Sequence, residues 1–572
     1  MGNSLKPSIL QAGNIKGDHT DVDDEKPAGG KTFELKSGVI AHLSMWRWSD
    51  IADECEQFLS NKGFDGVEIS PPAETVEPGD TLWERYRVVS YQLINRLGSE
   101  NQLRDMVKRC NHVGVRVFAS VVLNHMAEVK KDKVGMEDFS FDTEDVNPMA
   151  GVAEKRVGVG GSSYYPGDMY YPSVPYTKED FHPQCDVDDT LDAKQIRECH
   201  DDDLHDLDQS RETVREKIVH HLNHLINIGV AGFRIEHAKQ MHPKDLSVIY
   251  QRLKYLSTAH GFPRETRPLI YQDVFIIDDE GPIKYEEYTP LGLVLDFTFG
   301  SQLGAFFLSK NDLKDLQNFG SEAKQKRVVF VEDYFTERLY GDTFLNYQDP
   351  KPYKMAVMFM LARGDYNCKI FSSFQFSAHH QNPPVFSPHP IKENVCSNGW
   401  ECQHRWRQIY NAVEFHNVVK GTPVTNWWSN DKNQIAFCRG KKGFVAFNLD
   451  STKLNENLQT CLPEGEYCDI ISGEVTTTGC SGKTIKVEKD GKANIVIPES
   501  ASPEDGVVAI HIQSGTVYGD GNLVKSETSV KKSMRTFTPY GYSNGRTCAV
   551  LQPSTATEPD GCCAVAVRQW RM

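Results

Sequence analysis

The 572-residue chain has no uninterrupted apolar run that approaches the roughly 20 residues of a membrane-spanning helix. It also lacks an excess of positive charge: its net charge is −16, which argues against nucleic acid or an anionic membrane as the main partner. The first residues, MGNSLKPSIL, lack the basic start and apolar core of a signal peptide. Lys6 stands where a myristoylation motif needs Ser or Thr. We therefore expect a protein that binds neither nucleic acid nor a membrane.

Asn-x-Ser/Thr sequons are absent as well, so N-glycosylation gives no support for secretion. CxxC pairs with neighbouring histidines, the usual ligands of structural zinc, are also missing. The chain nevertheless contains 14 cysteines, and several of them lie close together in sequence. This pattern indicates disulfide bonds formed in an oxidising compartment. We expect a secreted protein whose signal peptide is not part of this chain.

The order of the predicted elements indicates several domains. Residues 1–32 are polar and rich in Gly and Asp, which predicts a disordered arm. From residue 33 to about 420, short apolar segments alternate with amphipathic segments, which predicts a parallel α/β barrel. Strands are expected over 39–43, 66–70, 116–124, 269–274, 293–297 and 328–332, and helices over 49–60, 102–112 and 211–228.

Two regions depart from this alternation. Residues 126–207 are rich in Gly, Pro, Asp and Tyr and follow the third predicted strand, so they are predicted to be an insertion. After residue 420 the helical pattern ends and segments such as 443–448 alternate like an antiparallel sheet. The expected domains are the barrel at 33–125 and 208–420, the insertion at 126–207, a C-terminal β-domain at 421–518, and an extension of unknown structure at 519–572.

A charged pair lies at the end of one predicted strand, in Gly232-Phe233-Arg234-Ile235-Glu236. Residues two apart in a strand point to the same side, so Arg234 and Glu236 are expected to lie next to each other. The carboxyl ends of barrel strands are where the active sites of such folds lie. These residues alone are compatible with a structural ion pair and with an active site.

The chain resembles an animal α-amylase of glycoside hydrolase family 13 from about residue 38 to 515. The resemblance is carried by the segments MWRWSDIADECEQFL, WERYRVVSYQL, NHLINIGVAGFRIEHAKQM, PLIYQDVF, YKMAVMFML, CQHRWRQIYNAVEFHNVV and EYCDIISGE. It implies a (β/α)₈ TIM barrel, a calcium-stabilised B-domain insertion after strand 3, and a C-terminal antiparallel β-sandwich.

The resemblance also implies four disulfide bonds: Cys55–Cys110, Cys185–Cys199, Cys396–Cys402 and Cys468–Cys480. Cys438 and Cys461 stand where animal amylases usually have glycines, and we predict an additional bond between them. Another family bridge is expected to be absent, because Ile94 replaces one of its cysteines. The pairing of Cys368, Cys548, Cys562 and Cys563 stays open.

The catalytic positions implied by the resemblance carry altered side chains. Retaining glycosidases use a carboxylate nucleophile and a second carboxyl as the acid. The nucleophile position is Glu236 where the family has Asp, and the acid position is Asp273 where the family has Glu. The third carboxylate of the family is replaced by Phe335, and a substrate-binding His by Tyr334. A displacement of about 1 Å can cost on the order of a hundredfold in rate, so we expect no efficient starch hydrolysis.

Other positions of the family's cleft are partly retained. Arg234 and His125 match catalytic-site residues, and Trp83, Tyr86, His125 and Lys239 match substrate-binding residues. Ser120 replaces an Asp of the family, and Leu82 replaces a Trp. His237, which directly follows Glu236, is compatible with a new acid/base role and with a packing role at the rim.

The resemblance also bears on bound ions. The family's calcium ligands correspond to Asn124, Arg197, Asp206 and Gln240, and such oxygen ligands suit Ca²⁺. Arg197 and Gln240 would contribute their backbone carbonyls. The chloride site of animal amylases corresponds to Arg234, Asp333 and Lys369. Because a carboxylate at Asp333 would repel an anion, we predict that chloride is not bound.

Three functions follow from these positions. The first is a monomeric pseudoenzyme that binds a carbohydrate, another small molecule or a protein partner. The second is an enzyme with altered chemistry on a more apolar substrate, using Glu236, Asp273, His125 and His237. The third is weak α-glucosidic hydrolysis.

Overall fold

Eight parallel strands close into a barrel in the structure, a computed structural model that describes residues 29–79, 81–128, 154–200, 204–276, 281–320, 326–519 and 522–524. In chain order the strands are β1 Val39–Leu43, β2 Gly66–Ile69, β3 Arg116–Val122, β4 Gly232–Glu236, β5 Leu269–Gln272, β6 Leu293–Asp296, β7 Arg327–Phe330 and β8 Asn367–Ser372. Each strand pairs with the next, and β8 pairs with β1 to close the barrel. Strand β8 has no counterpart among the strands predicted from the sequence.

Helices connect the strands and cover the barrel. They span Trp48–Glu54 (continued by a π-helical turn, Cys55–Leu59), Glu100–His112, Glu212–Ile228, Pro243–Gln251, Phe297–Phe307, Thr336–Leu339, Pro350–Arg363 and Arg407–Val419. The helix Glu100–His112 buries Leu103, Met106, Val107 and Cys110, which lie on one face at helical spacing. Glu212–Ile228 ends at Gly229, whose φ of 110° is left-handed and favours glycine.

Strand β4 shows how the barrel places charge in its interior. Its five residues are all fully buried. Phe233 and Ile235 alternate with Arg234 and Glu236, so the charged pair shares one side of the strand. A Cβ at Gly232 would lie 2.0 Å from the carbonyl oxygen of Leu269, which permits only glycine at the start of this strand.

The described part of the 126–207 insertion is built from short strands and stacked tyrosines. His125–Ala127 pairs with Leu204–Asp206 in antiparallel fashion. Tyr164 and Tyr171 stack with ring centroids 6.0 Å apart, and both rings are buried. The tyrosine-rich run therefore packs the insertion.

The C-terminal domain is antiparallel, as predicted. One four-stranded sheet has the order Val424–Ser429, Gln434–Arg439, Gly443–Asn448, Val507–His511, and a second has the order Thr484–Val487, Gly465–Cys468, Gly515–Gly519, Asn522–Val524. Leu454–Gln459 pairs with Lys492–Ile497, and Val475–Thr476 with Gly479–Cys480. The sheet thus continues into the predicted extension 519–572 as far as Val524, and the expected boundary at 518 lies too early.

The expected disordered arm needs a correction at its end. Lys31–Thr32 pairs in parallel with Thr266–Arg267, so part of the predicted arm 1–32 is a strand. The next residue, Phe33, anchors this strand, because its ring packs edge-on against Phe262 with the centroids 5.5 Å apart. Residues 1–28 lie outside the described residues.

Among the described residues five disulfide bonds form, and they are the five predicted pairs, including the additional Cys438–Cys461. Cys368 is buried and has no disulfide partner within this part of the chain. Cys548, Cys562 and Cys563 lie outside the described residues. Disulfides of this number are typical of proteins from oxidising compartments. Within the described ranges, no helix is both long and apolar enough to cross a membrane.

Candidate active site

Arg234 is the centre of a buried ionic cluster inside the barrel. Its Nη2 lies 2.6 Å from Asp273 Oδ2 and 3.1 Å from Asp333 Oδ2. Its Nη1 lies 3.2 Å from Glu68 Oε1, and its Nε lies 3.2 Å from Glu236 Oε1. Because Arg234 is fully buried, these four carboxyl groups take the place of water around its charge.

Glu68 on β2 connects Arg234 to the opposite wall of the barrel. The Tyr271 hydroxyl donates to Glu68 Oε2 over 2.8 Å, and Lys369 Nζ lies 3.8 Å from Oε1. His42 Nδ1 lies 3.4 Å from the same oxygen. Burial alone would raise the pKa of Glu68, but these basic neighbours lower it to about 2. Glu68 is therefore ionised at neutral pH.

Glu236, the predicted nucleophile position, has a different protonation state. It is fully buried, and burial raises its pKa to about 8 although Arg234 beside it favours the charged form. The Tyr334 hydroxyl donates to Glu236 Oε2 over 3.1 Å. Glu236 is therefore mostly protonated at pH 7, and a protonated carboxyl is a poor nucleophile.

Tyr334 separates Glu236 from the cleft. Its ring stacks on Tyr86 with centroids 4.8 Å apart and planes 10° apart. The guanidinium of Arg234 lies 5.0 Å from the centre of the same ring. The ring of Tyr334 lines a cavity of about 430 Å³ above the carboxyl ends of the strands, whereas Glu236 is not among the described residues that line it.

The cavity itself is largely aromatic. It is lined by Trp83, Tyr86, Arg87, His125, Leu204, His237, Gln240, Asp273, Phe275, Phe297, Tyr334, Phe335 and Leu339. Phe335, predicted to stand at the position of the family's third carboxylate, contacts the rings of Trp83, Phe275 and Tyr340 at 6.1, 5.2 and 5.9 Å. Among the described lining residues, Asp273 is the one carboxylate, so the geometry does not present a carboxylate pair to the cavity.

Asp273, the predicted acid position, directly follows β5. Its backbone N–H donates to Ile235 O over 2.9 Å, and its carbonyl accepts from the Lys239 N–H over 3.2 Å, which ties it to the end of β4. Arg234 holds Oδ2, and this leaves Oδ1 as the oxygen available to a ligand. Asp273 thus lines the cavity while one of its oxygens is held in an ion pair with a fully buried arginine.

The remaining predicted site residues fall into two groups. Trp83, Tyr86, His125 and His237 all line the cavity, and the rings of His125 and His237 meet edge-on at 5.0 Å. Burial, with His237 nearby, lowers the pKa of His125 well below its usual value, so His125 is neutral at pH 7. Lys239 is absent from the described lining, and its backbone carbonyl accepts from Tyr288.

The predicted calcium ligands differ in the contacts that they make in the structure. Asn124 is buried, and its Oδ1 has no hydrogen-bond donor within the part of the chain that the structure describes. Asp206 is also buried, and its Oδ2 lies 2.6 Å from His182 Nδ1. The Arg197 guanidinium binds Glu287 and Tyr288, which leaves its backbone carbonyl for other contacts. An orphaned amide oxygen beside a carboxylate fits a hard cation, although no cluster of three His, Cys, Asp or Glu side chains with metal-binding geometry occurs among the described residues.

Asp333 occupies the predicted chloride position. Its Oδ2 lies 3.1 Å from Arg234 Nη2 and 3.7 Å from Lys369 Nζ. Burial opposes its ionisation, but Lys369 and Arg234 lower its pKa below the usual value. Its Oδ1 accepts from the backbone N–H groups of Phe335 and Thr336 at the start of a helix. A carboxylate thus neutralises both cations.

Several site residues were not predicted from the sequence. Glu68 and His42 lie in the ionic cluster, and Phe275 and Phe297 line the cavity. A signal for Glu68 is present in Gly66-Val67-Glu68-Ile69, where a carboxylate stands in an otherwise apolar strand. Phe275 and Phe297 give no comparable signal, because aromatic residues after strands are common in barrel cores.

Comparisons with known proteins agree with this architecture. Residues 56–265 match the family model "Alpha amylase, catalytic domain", and residues 427–513 match "Alpha amylase, C-terminal all-beta domain". The chain is 45% identical over 493 residues to an α-amylase of Tenebrio molitor, covering 84% of this chain and 98% of the relative. It is 44% identical over 488 residues to an α-amylase-related protein of Drosophila pseudoobscura pseudoobscura, covering 83% and 93%.

A solved structure supports the same conclusion. The crystal structure of wild-type α-amylase I from Eisenia fetida matches with a TM-score of 0.75 and 34% identity, covering 84% of this chain and 99% of that one. The barrel and the antiparallel C-terminal domain, together with the matched family models, assign the chain to the α-amylase-like glycoside hydrolases. The chain belongs to the animal α-amylases of glycoside hydrolase family 13.

Proposed function

We propose that this protein is an α-amylase scaffold that binds a ligand in the former sugar cleft without efficient hydrolysis of starch. The observation that carries the proposal is the contact between Tyr334 and Glu236. The carboxyl at the nucleophile position is protonated, hydrogen-bonded to Tyr334 and separated from the cavity by that ring. A sugar in the cavity would not reach the carboxyl at the predicted nucleophile position.

The state of Asp273 and Phe335 supports the same proposal. Retaining hydrolysis needs one carboxylate to attack and one carboxylic acid to protonate the leaving oxygen. Arg234 Nη2 holds Asp273 Oδ2 at 2.6 Å in a buried ion pair, and Phe335 offers neither charge nor hydrogen bonds. The two steps of the reaction therefore lack their groups, while the cavity that would hold a ligand is preserved.

Calcium binding and secretion are part of the proposal. Asn124 Oδ1, Asp206 and the backbone carbonyls of Arg197 and Gln240 would hold the ion between the barrel and the insertion, where it would supply positive charge and cross-link the two segments. The five disulfide bonds support an extracellular protein. Chloride is not bound, because Asp333 neutralises Arg234 and Lys369.

A second candidate function is altered chemistry in the same cavity. His125 and His237 meet at 5.0 Å in the cavity that Asp273 also lines, and their ring nitrogens are candidate proton acceptors for a substrate other than starch. Weak α-glucosidic hydrolysis is the third candidate and needs Glu236 to ionise and Tyr334 to move.

The experiment that separates these functions measures reducing ends. Purified protein is incubated with starch and with maltooligosaccharides in the presence of Ca²⁺, next to the Glu236→Gln variant. We expect the unaltered protein to release no more reducing ends than the Glu236→Gln variant does. Release that disappears in Glu236→Gln would refute the non-hydrolytic proposal. Restoring Glu236→Asp, Asp273→Glu and Phe335→Asp together is expected to recover hydrolysis only when Tyr334→His also opens the nucleophile position.

A further inference from the structure

The walls of the aromatic cavity differ in polarity according to the strands that carry them. His125 follows β3, His237 follows β4 and Asp273 follows β5, and these strands are neighbours in the barrel. Phe297 follows β6 and Phe335 follows β7, on the next part of the circle. The cavity therefore has one polar side and one aromatic side.

The aromatic side is continuous. Phe275 meets Phe297 at 4.9 Å and Phe335 at 5.2 Å, with ring planes 76° and 84° apart. Trp83 meets Phe335 at 6.1 Å and 74°. Rings in edge-to-face contact enclose an apolar volume from several directions, and this arrangement differs from a single flat platform.

The polar side offers hydrogen-bonding groups from Asp273, His125, His237 and Gln240. Asp273 contributes Oδ1, since its Oδ2 is held by Arg234. Arg87 also lines the cavity, and the charge of the buried Arg234 is offset by its carboxyl neighbours. A neutral hydrogen-bond donor on the ligand suits Asp273, because Arg234 already forms an ion pair with its Oδ2 and no second cation is needed there.

Sugar hydroxyls would be poorly matched by this cavity. An oligosaccharide carries hydroxyl groups around each ring, and those facing Phe297, Phe335 and Leu339 would lose their water without gaining a partner. Tyr86 and Tyr334, stacked at 4.8 Å, leave no space for a sugar ring between them. The volume of about 430 Å³ is in the range of sites for a single small molecule.

We propose that the cavity takes a neutral, largely apolar compound of one or two rings that donates one hydrogen bond to Asp273. This inference rests on the proposed function, because it names the ligand class of a site that binds without hydrolysing starch. The rings of the ligand lie against Phe275, Phe297 and Phe335, and its hydroxyl lies against Asp273 Oδ1.

Isothermal titration of the full chain tests the inference with three probes. They are 4-phenylphenol, 4-methoxybiphenyl, which has the same rings but no donor, and maltotetraose. We expect 1:1 binding of 4-phenylphenol, at least tenfold weaker binding of 4-methoxybiphenyl, and no detectable binding of maltotetraose at the same concentrations.

Variants test whether the ligand lies in this cavity. Phe335→Asp and Leu339→Asp are expected to weaken 4-phenylphenol at least tenfold. Leu339 is 47% exposed, so a charge there is compatible with folding even if Phe335→Asp were not. Phe386→Ala is the matched control: Phe386 is 71% exposed and is not among the described residues of the cavity, so binding should not change.

The failures of the two proposals are distinguishable. The apolar-ligand inference would be overturned if 4-phenylphenol did not bind, if maltotetraose bound more tightly, or if neither Asp variant weakened the binding of 4-phenylphenol. A non-hydrolytic binding role would remain intact in each case. Release of reducing ends from starch that depends on Glu236 would overturn the proposed function, whichever probe binds.

Discussion

The Tyr334 hydroxyl donates a hydrogen bond of 3.1 Å to Glu236 Oε2, and the Tyr334 ring stacks on Tyr86. One tyrosine thus donates to one oxygen of the carboxyl at the predicted nucleophile position and separates that carboxyl from the cavity. The contact couples the protonation state of Glu236 to the shape of the cleft.

Removal of the Tyr334 hydroxyl should destabilise the fold. Tyr334→Phe keeps the ring and its stacking on Tyr86 but leaves a buried oxygen of Glu236 without a donor. We expect a loss of about 1–3 kcal/mol in the free energy of unfolding, measured by urea denaturation. Tyr86→Phe, which keeps the hydrogen bond to Glu236, is the control and should cost less. Equal costs for the two variants would show that this hydrogen bond adds no stability.

The pH dependence of stability should carry the signature of Glu236. Its pKa is about 8 in the folded protein, against about 4.3 in an unfolded chain. Between these values the folded state holds a proton that the unfolded state has released. This contribution to stability is therefore largest below about pH 4 and is lost as the pH rises to about 8, by up to about 1.4 kcal/mol per pH unit.

The Glu236→Gln variant tests this slope, because glutamine cannot titrate. Unfolding free energies of the unaltered protein and the variant are compared at pH 5, 6.5 and 8, and the variant should gain relative stability as the pH rises. Glu456→Gln, an exposed glutamate of the C-terminal domain, should leave the slope unchanged. A constant difference between the unaltered protein and Glu236→Gln across this range would mean that Glu236 is ionised in the fold.

Anion binding should appear when Asp333 loses its charge. Asp333→Asn leaves Arg234 and Lys369 with one counter-charge fewer, and breaking a buried ion pair costs about 3–5 kcal/mol. We expect chloride to restore part of this loss in the variant and to have no effect on the unaltered protein. The measurement is the melting temperature in chloride and in gluconate at equal ionic strength. Chloride stabilisation of the unaltered protein would contradict the prediction.

Calcium should raise the melting temperature through Asn124. A ligand at one hundred times its dissociation constant stabilises a protein by about 2.7 kcal/mol. In the Asn124→Ala variant, we expect that Ca²⁺ no longer raises the melting temperature and that EDTA no longer lowers it. Asn417→Ala is a matched control, since Asn417 Oδ1 is also buried without a donor among the described residues but is not among the predicted ligands. Loss of the increment in both variants would speak against this site.

The sequence alone predicted most of the fold. Alternating apolar and amphipathic segments predicted the barrel, because the period of each pattern reports the local backbone. Long motifs supported the domain order and the five disulfide bonds, including Cys438–Cys461. Strand β8 and the pairing of Lys31–Thr32 with Thr266–Arg267 were missed, because the partners of these segments are distant in sequence.

The sequence also predicted which side chains stand at the catalytic positions, and this prediction includes Phe335 in place of a carboxylate. Only the tertiary structure decided what those side chains can do. Whether Glu236 is charged depends on its complete burial and on Arg234 being shared among four carboxyl groups. Whether it can reach a ligand depends on Tyr334 and Tyr86, which come from different loops of the barrel. Protonation and access are set by neighbours in space, and a linear chain does not specify them until it folds.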